Sequence, residues 1–138
     1  MIIFFATCAS VDYHFLALKL LSPNLEIWKL HGKINQKKRT KIYNSFRSQD
    51  DHQKILLTTD LAARGVDIPD VDWIIQFDPP QWSDQFIHRI GRTARAGKHG
   101  QSLLFLIEHE EAYIPYLTNK QVRIEELSHE TETTKETS

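Results

Sequence analysis

Two arginine-bearing stretches carry the clearest chemical signal. One is Thr59-Asp60-Leu61-Ala62-Ala63-Arg64-Gly65-Val66-Asp67-Ile68-Pro69; the other is His88-Arg89-Ile90-Gly91-Arg92-Thr93-Ala94-Arg95. Arg92 and Arg95 stand three apart, so continued helical spacing would project them from one side. Two guanidiniums held together repel unless an anion lies between them, and their planar forks suit bidentate phosphate binding. Gly65 permits a close or left-handed backbone, and Asp67 offers an acceptor suited to sugar hydroxyls. The same arginines can instead pair with Asp60, Asp67 or Asp78 as structural ion pairs. A further basic cluster, Lys37, Lys38, Arg39 and Lys41, is either a solvated face or a surface that steers a polyanion.

The elements that must hold these residues alternate between strand and helix. Apolar runs at 2–6, 25–30, 55–58, 71–77 and 102–107 read as strands, the fourth stopped by Pro79-Pro80. Between them, Ser10 caps a helix running to Leu21, Asn35–Phe46 carries Ile42 and Phe46 on its inner face, and Ser83–Ile90 is helical. A last helix spans Glu110–Leu117 despite Pro115. Five apolar strands separated by helices predict an α/β domain, a mainly parallel sheet with helices on both faces in three layers. In such folds ligands bind where strands end, which is where both arginine stretches fall.

Composition sets the outer bounds. At 138 residues, 41% apolar and 25% charged, the chain suits one globular domain. A single cysteine, Cys8, permits no internal disulfide and reads as a packing residue in a reducing, intracellular compartment. No apolar run approaches a membrane span, and Met1-Ile2-Ile3-Phe4-Phe5 lacks the basic start of a signal peptide. The seven histidines lack helical pairing and cysteine support, so no metal site is expected. Trp28, Trp73 and Trp82 read as core or rim residues. Residues 1–127 form the expected domain; 128–138, rich in Glu and Thr, read as a disordered acidic tail.

The two stretches resemble motifs V and VI of the superfamily 2 helicases, and His88-Arg89-x-Gly91-Arg92-x-x-Arg95 resembles the DEAD-box RNA helicase form. Other pieces follow in order. Ile3-Phe4-Phe5-Ala6-Thr7 resembles motif IV, His31-Gly32 with Gln36-x-x-Arg39 resembles the turn and helix after it, and Gln76-Phe77-Asp78-Pro79-Pro80 resembles the segment between V and VI. Thr7-Cys8, the run 67–73 and Asp78-Pro79-Pro80 also resemble the subgroup that matures the large ribosomal subunit. A DNA translocase of the superfamily usually has glutamine in place of His88.

The resemblance implies the C-terminal RecA-like domain of an ATP-dependent RNA helicase. It implies that Arg95 is an arginine finger toward the γ-phosphate of ATP with Arg92 beside it, that Gly65 and Asp67 also contact the nucleotide, and that His88 shares in catalysis. Arg64, His88 and Asp78 are implied to couple this domain to its partner. Thr7, Gly32, Gln36, Arg39 and Thr59 are implied to hold the RNA backbone without reading bases. No G-x-x-x-x-G-K-[ST] or D-E-A-D segment occurs in the sequence. Binding of Mg²⁺ and of adenine is therefore expected on a first RecA-like domain, and this chain alone is expected to be inactive. The implied partners are RNA, that first domain and pre-ribosomal particles, with no membrane, in the nucleus or nucleolus. The alternative is a non-catalytic RNA- or protein-binding module.

Overall fold

The structure is a computed structural model that describes residues 1–48, 50, 52–64, 66 and 68–127. Five strands form one sheet: β1 (Ile2–Phe5), β2 (Glu26–Leu30), β3 (Lys54–Thr59), β4 (Trp73–Gln76) and β5 (Gln101–Leu104). Their order is β2-β3-β1-β4-β5 and every pairing is parallel. Five helices accompany them: α1 (Cys8–Leu21), α2 (Gln36–Arg47), α3 (Asp60–Ala63), α4 (Ser83–Ile90) and α5 (Tyr113–Asn119). The expected α/β architecture is the one observed.

The two-residue period of β1 divides the core. Ile2 and Phe4 point to one face, where they pack with Leu30, Leu56 and Ile74, with Phe46 of α2, and with Ala62 and Ala63 of α3. Ile3 and Phe5 point to the other, against Ile27, Leu57 and the inner residues Val11, Phe15 and Leu18 of α1. With both faces covered, the central strand must be apolar at every position, and Ile-Ile-Phe-Phe is.

Several boundaries differ from those read in the sequence. Thr7, not Ser10, caps α1: its hydroxyl accepts the Ser10 N–H at 3.1 Å. The stretch before β4 is not strand, because the Val71 N–H is taken by the Arg92 carbonyl (3.1 Å). β5 stops at Leu104, since β4 has ended beside it and Phe105 makes one last bond to the Gln76 carbonyl (3.0 Å). α5 starts late, at Tyr113, after a 3-10 turn over Glu108–Glu110. Pro115 therefore falls in the first turn of α5, where its missing N–H has no intrahelical acceptor to forgo. The expected tail 128–138 lies outside the described residues.

Candidate functional site

Helix starts and polar loops gather at the carboxyl ends of β1, β2 and β3. Thr7 caps α1 and Asn35 caps α2, its side chain accepting the Lys38 N–H at 2.9 Å. Neither helix has an acidic residue in its first turn, so the positive ends of both helix dipoles stand uncompensated. Because β3 and β1 are neighbours, Phe5 and Thr59 are paired and the starts of α1 and α3 lie side by side. A Cβ on Gly32 would lie 3.5 Å from Leu61 of α3, so the loop after β2 closes against the same corner.

Five residues expected at the RNA backbone lie on this ground. Thr7, Gly32 and Gln36 are exposed, Gln36 opening α2. Arg39, one turn on, is half-buried, and its Nε has no hydrogen-bond partner. Thr59 is buried at the cap position of α3, where its side chain makes no capping bond.

The loop holding Gly32 is braced by a relay the sequence reading missed. Buried His31 donates Nε2–H to the Asp12 carboxylate of α1 (2.9 Å), while its Nδ1 accepts the Lys33 N–H (3.2 Å). These bonds fix one neutral tautomer. Lys29 Nζ donates to the same Asp12 oxygen at 2.5 Å. The hydrogen bond from Lys29, then that from His31, holds the Asp12 carboxyl below its ordinary value. The signal lay in the sequence: Lys29 in β2 and His31 just past its end stand two apart, and so leave the chain on one side.

Beside this ground, a small cleft of about 30 Å³ is lined by Asp60, Arg64, His88, Arg89 and Arg92, with Phe4 at its base. Arg89, 2% exposed, is the structural arginine of the set. It forks onto both Asp60 carboxylate oxygens at 2.7 Å, donates to the Asp78 carbonyl (2.7 Å) and Gln76 Oε1 (3.2 Å), and lies 5.0 Å over the Phe4 ring. Asp60 is thereby neutralised. Among the described residues, the side chains of Arg64, His88 and Arg92 have no hydrogen-bond or ion-pair partner, which leaves the cleft mouth cationic.

The remaining expected site residues are placed as follows. Arg92 and Arg95 do not share a helix face, because α4 ends at Ile90 and Gly91 is its cap. The chain then bends through left-handed Ala94 and Ala96. A bond from the Thr93 hydroxyl to the Val71 carbonyl pins the turn. Arg95 leaves it exposed, with Nε on the Gly91 carbonyl (2.5 Å) and 3.5 Å from Asp70, outside the cleft that Arg92 lines. The Asp78 carboxylate accepts the Ala6 N–H at 2.8 Å, an exposed bond that straps the end of β4 to the start of α1. Gly65 and Asp67 lie outside the described residues.

This arrangement has known counterparts. The sequence model of the helicase conserved C-terminal domain matches residues 1–97. The chain is 46% identical over 120 residues to the ATP-dependent RNA helicase DDX55 of Danio rerio, a match covering 87% of this chain and 20% of that protein. It is 44% identical over 133 residues to the ATP-dependent rRNA helicase SPB4 of Saccharomyces cerevisiae, covering 91% and 22%. The chain thus spans about a fifth of the length of these curated relatives. Domain 2 of the DEAD-box helicase Mss116p, solved bound to an RNA duplex, superposes with a TM-score of 0.79 at 37% identity, covering 94% of this chain and 52% of that one. The parallel five-stranded sheet, the matched family sequence and the superposition agree: the chain belongs to the helicase conserved C-terminal domain family, in its DEAD-box RNA helicase branch.

Proposed function

We propose that this chain is the C-terminal lobe of an ATP-dependent RNA helicase, gripping RNA by its backbone and offering cations to ATP held by a first RecA-like domain. The observation that carries the reading is the cleft with Arg64 and Arg92, unpaired among the described residues, at its mouth, at the same carboxyl end of the sheet as the uncompensated starts of α1 and α2. One surface suits a string of phosphodiesters, the other a single concentrated anion.

On the RNA side, the Thr7 and Thr59 hydroxyls, the Gln36 amide and the Arg39 guanidinium are donors suited to phosphate oxygens and 2′-hydroxyls. Gly32 lets the backbone approach without a side chain between. None of these groups reads a base edge, so binding is independent of sequence and weakens with salt.

On the nucleotide side, bound ATP supplies the phosphoryl group to be cleaved. The chain's contribution is electrostatic: Arg92 and Arg95 meet the charge that gathers on the phosphoryl oxygens. Asp67 and Gly65 belong to the same contact. Arg95 must first leave the Gly91 carbonyl, and its exposure permits that. His88 and Arg64, at the cleft mouth, tie the two lobes when they close. Asp78 acts through its bond to Ala6, holding the β1 and β4 ends together. Mg²⁺ belongs to the first RecA-like domain in this reading, since the phosphate-loop and D-E-A-D segments that would hold it do not occur in this sequence. The SPB4 relative is an rRNA helicase, and we extend that substrate class, with pre-ribosomal particles and the nucleolus, to this chain.

The test joins this chain to the first RecA-like domain of the zebrafish relative and measures RNA-stimulated ATP hydrolysis. Arg95→Ala should lower kcat by about 10² or more while KM for ATP moves only modestly, and Arg95→Lys should not rescue it. Turnover within a few-fold of the parent overturns the arginine-finger assignment. This chain alone should release no phosphate above an Arg95→Ala control.

A further inference from the structure

A second concavity shares no lining residue with the arginine-lined cleft. It is an open cleft of about 430 Å³ between the loop after β4 and the start of α5, lined chiefly by Pro79, Trp82, Glu110, Tyr113 and Tyr116. That volume falls among ligand and side-chain pockets. Trp82 is 65% exposed, a large apolar area for so bulky a residue to leave in water. It stands at the cap position of α4 without a side chain that can cap.

The aromatic wall is held in place from behind. Tyr116 Oη accepts the Ser83 N–H at 3.1 Å, satisfying one of the free donors at the start of α4. The Tyr113 and Tyr116 rings lie 5.5 Å apart at 43°, and Tyr113 rests 6.5 Å from Phe86 of α4. Glu110 is fixed as well, accepting the Ile107 N–H at 3.1 Å. A pre-ordered wall loses little entropy on binding.

Charge selects the occupant. Glu110 lines the cleft beside His109, Glu108 and Glu111 flank it in the chain, and Asp84 lies close enough to Tyr116 to act on it electrostatically. Lys120 is the opposing cation near Tyr116. Aromatic faces ringed by carboxylates attract cations and repel phosphate. We propose that this cleft receives an arginine or lysine side chain from an extended segment of a partner protein, stacked on Trp82 and the tyrosines and paired with Glu110. The site is distinct from the RNA and nucleotide contacts and stands whether or not those are right.

Acetylated tetra-arginine amide, titrated into the ¹⁵N-labelled chain, tests this by following the indole N–H of Trp82. A saturable shift is expected. Trp82→Ala, followed instead by the Glu110 and Tyr113 backbone amides, should weaken binding at least ten-fold, and Glu110→Gln, which keeps the bond to Ile107, about three-fold. Unchanged Trp28 and Trp73 indole signals certify that each variant is folded. The tetra-citrulline analogue, equal in shape but neutral, should bind at least ten-fold more weakly. Equal affinity of the Trp82→Ala variant or of the citrulline peptide overturns the proposal. So does a Trp82 shift induced by oligouridine, which marks a base-stacking platform instead.

Discussion

Replacing Arg89 by methionine isolates the cost of its charge, because methionine keeps most of the length and apolar contact of the side chain. The guanidinium is buried, yet it satisfies four acceptor atoms: two on Asp60, one on Gln76 and the Asp78 carbonyl. Its loss strands a carboxylate and removes the bond to the Gln76 side chain, whose Nε2 is already buried without a partner. Breaking a buried pair from one side costs about 3–5 kcal/mol. The Asp60 side chain is 22% exposed, so water recovers part of that and the low end, about 3 kcal/mol, applies. In a chain of this size the loss lowers Tm by roughly 10 °C, and moves a urea midpoint by about 1.5 M at an m-value of about 2 kcal/mol/M. Urea unfolding followed by far-UV circular dichroism measures it directly. Adding Asp60→Asn should restore at least half of the lost stability, since the stranded charge then disappears. A loss below about 1 kcal/mol in the single variant, or no recovery in the double, would refute the hub assigned to Arg89.

Three further outcomes are expected. Arg39→Ala should weaken binding to every single-stranded RNA about equally and reduce the salt slope by about one counterion, as read by fluorescence anisotropy at several salt concentrations. Gly100→Ala should destabilise by about 1–3 kcal/mol in thermal unfolding, because a Cβ there runs into the Thr93 side chain and the Ala94 backbone nitrogen. Asp12, whose folded carboxyl titrates below its ordinary 3.8 through the Lys29 and His31 bonds, adds stability that is full above that value and lost as pH falls through the lower folded one. Asp12→Asn should therefore flatten the acid limb of a stability–pH curve below about pH 4.

The sequence conveyed the sheet well because β1 and β3 are apolar on both sides and each loop that follows carries polar residues at the strand's end. Ser83–Ile90 was legible to the residue, its stop marked by Gly91. That same glycine defeats the helical-spacing argument for Arg92 and Arg95, since the positive-φ turn beyond it is set by bonds to Val71, some twenty positions earlier. Thr7 and Ser10 are both hydroxyl residues at the start of α1, and only the extended backbone at Thr7 decides which one caps. Arg89 looked like one more member of a basic cluster. Its burial depends on Asp60 after β3 and on Gln76 and Asp78 at the end of β4, two segments that meet only once the sheet is assembled. Trp82 reads as a core or rim residue from sequence, and its exposure beside two tyrosines of α5 is a tertiary fact.

The position of β1 has a consequence for how the chain folds. It is the earliest strand in the sequence and the middle strand of the sheet, with Ile2 beside Leu56 on one flank and Ile74 on the other. Neither flank is local. β2, α2 and β3 form a compact strand–helix–strand unit that can close over a modest loop, but β1 finds an edge to join only after that unit exists. It stays an edge itself until β4 arrives. Closing such long loops before any contact rewards them is slow. During synthesis, Ile-Ile-Phe-Phe leaves the ribosome well ahead of both partners, an apolar strand with both edges unpaired. The segment that anchors the finished core is thus the one most exposed to misassociation while the domain is being made.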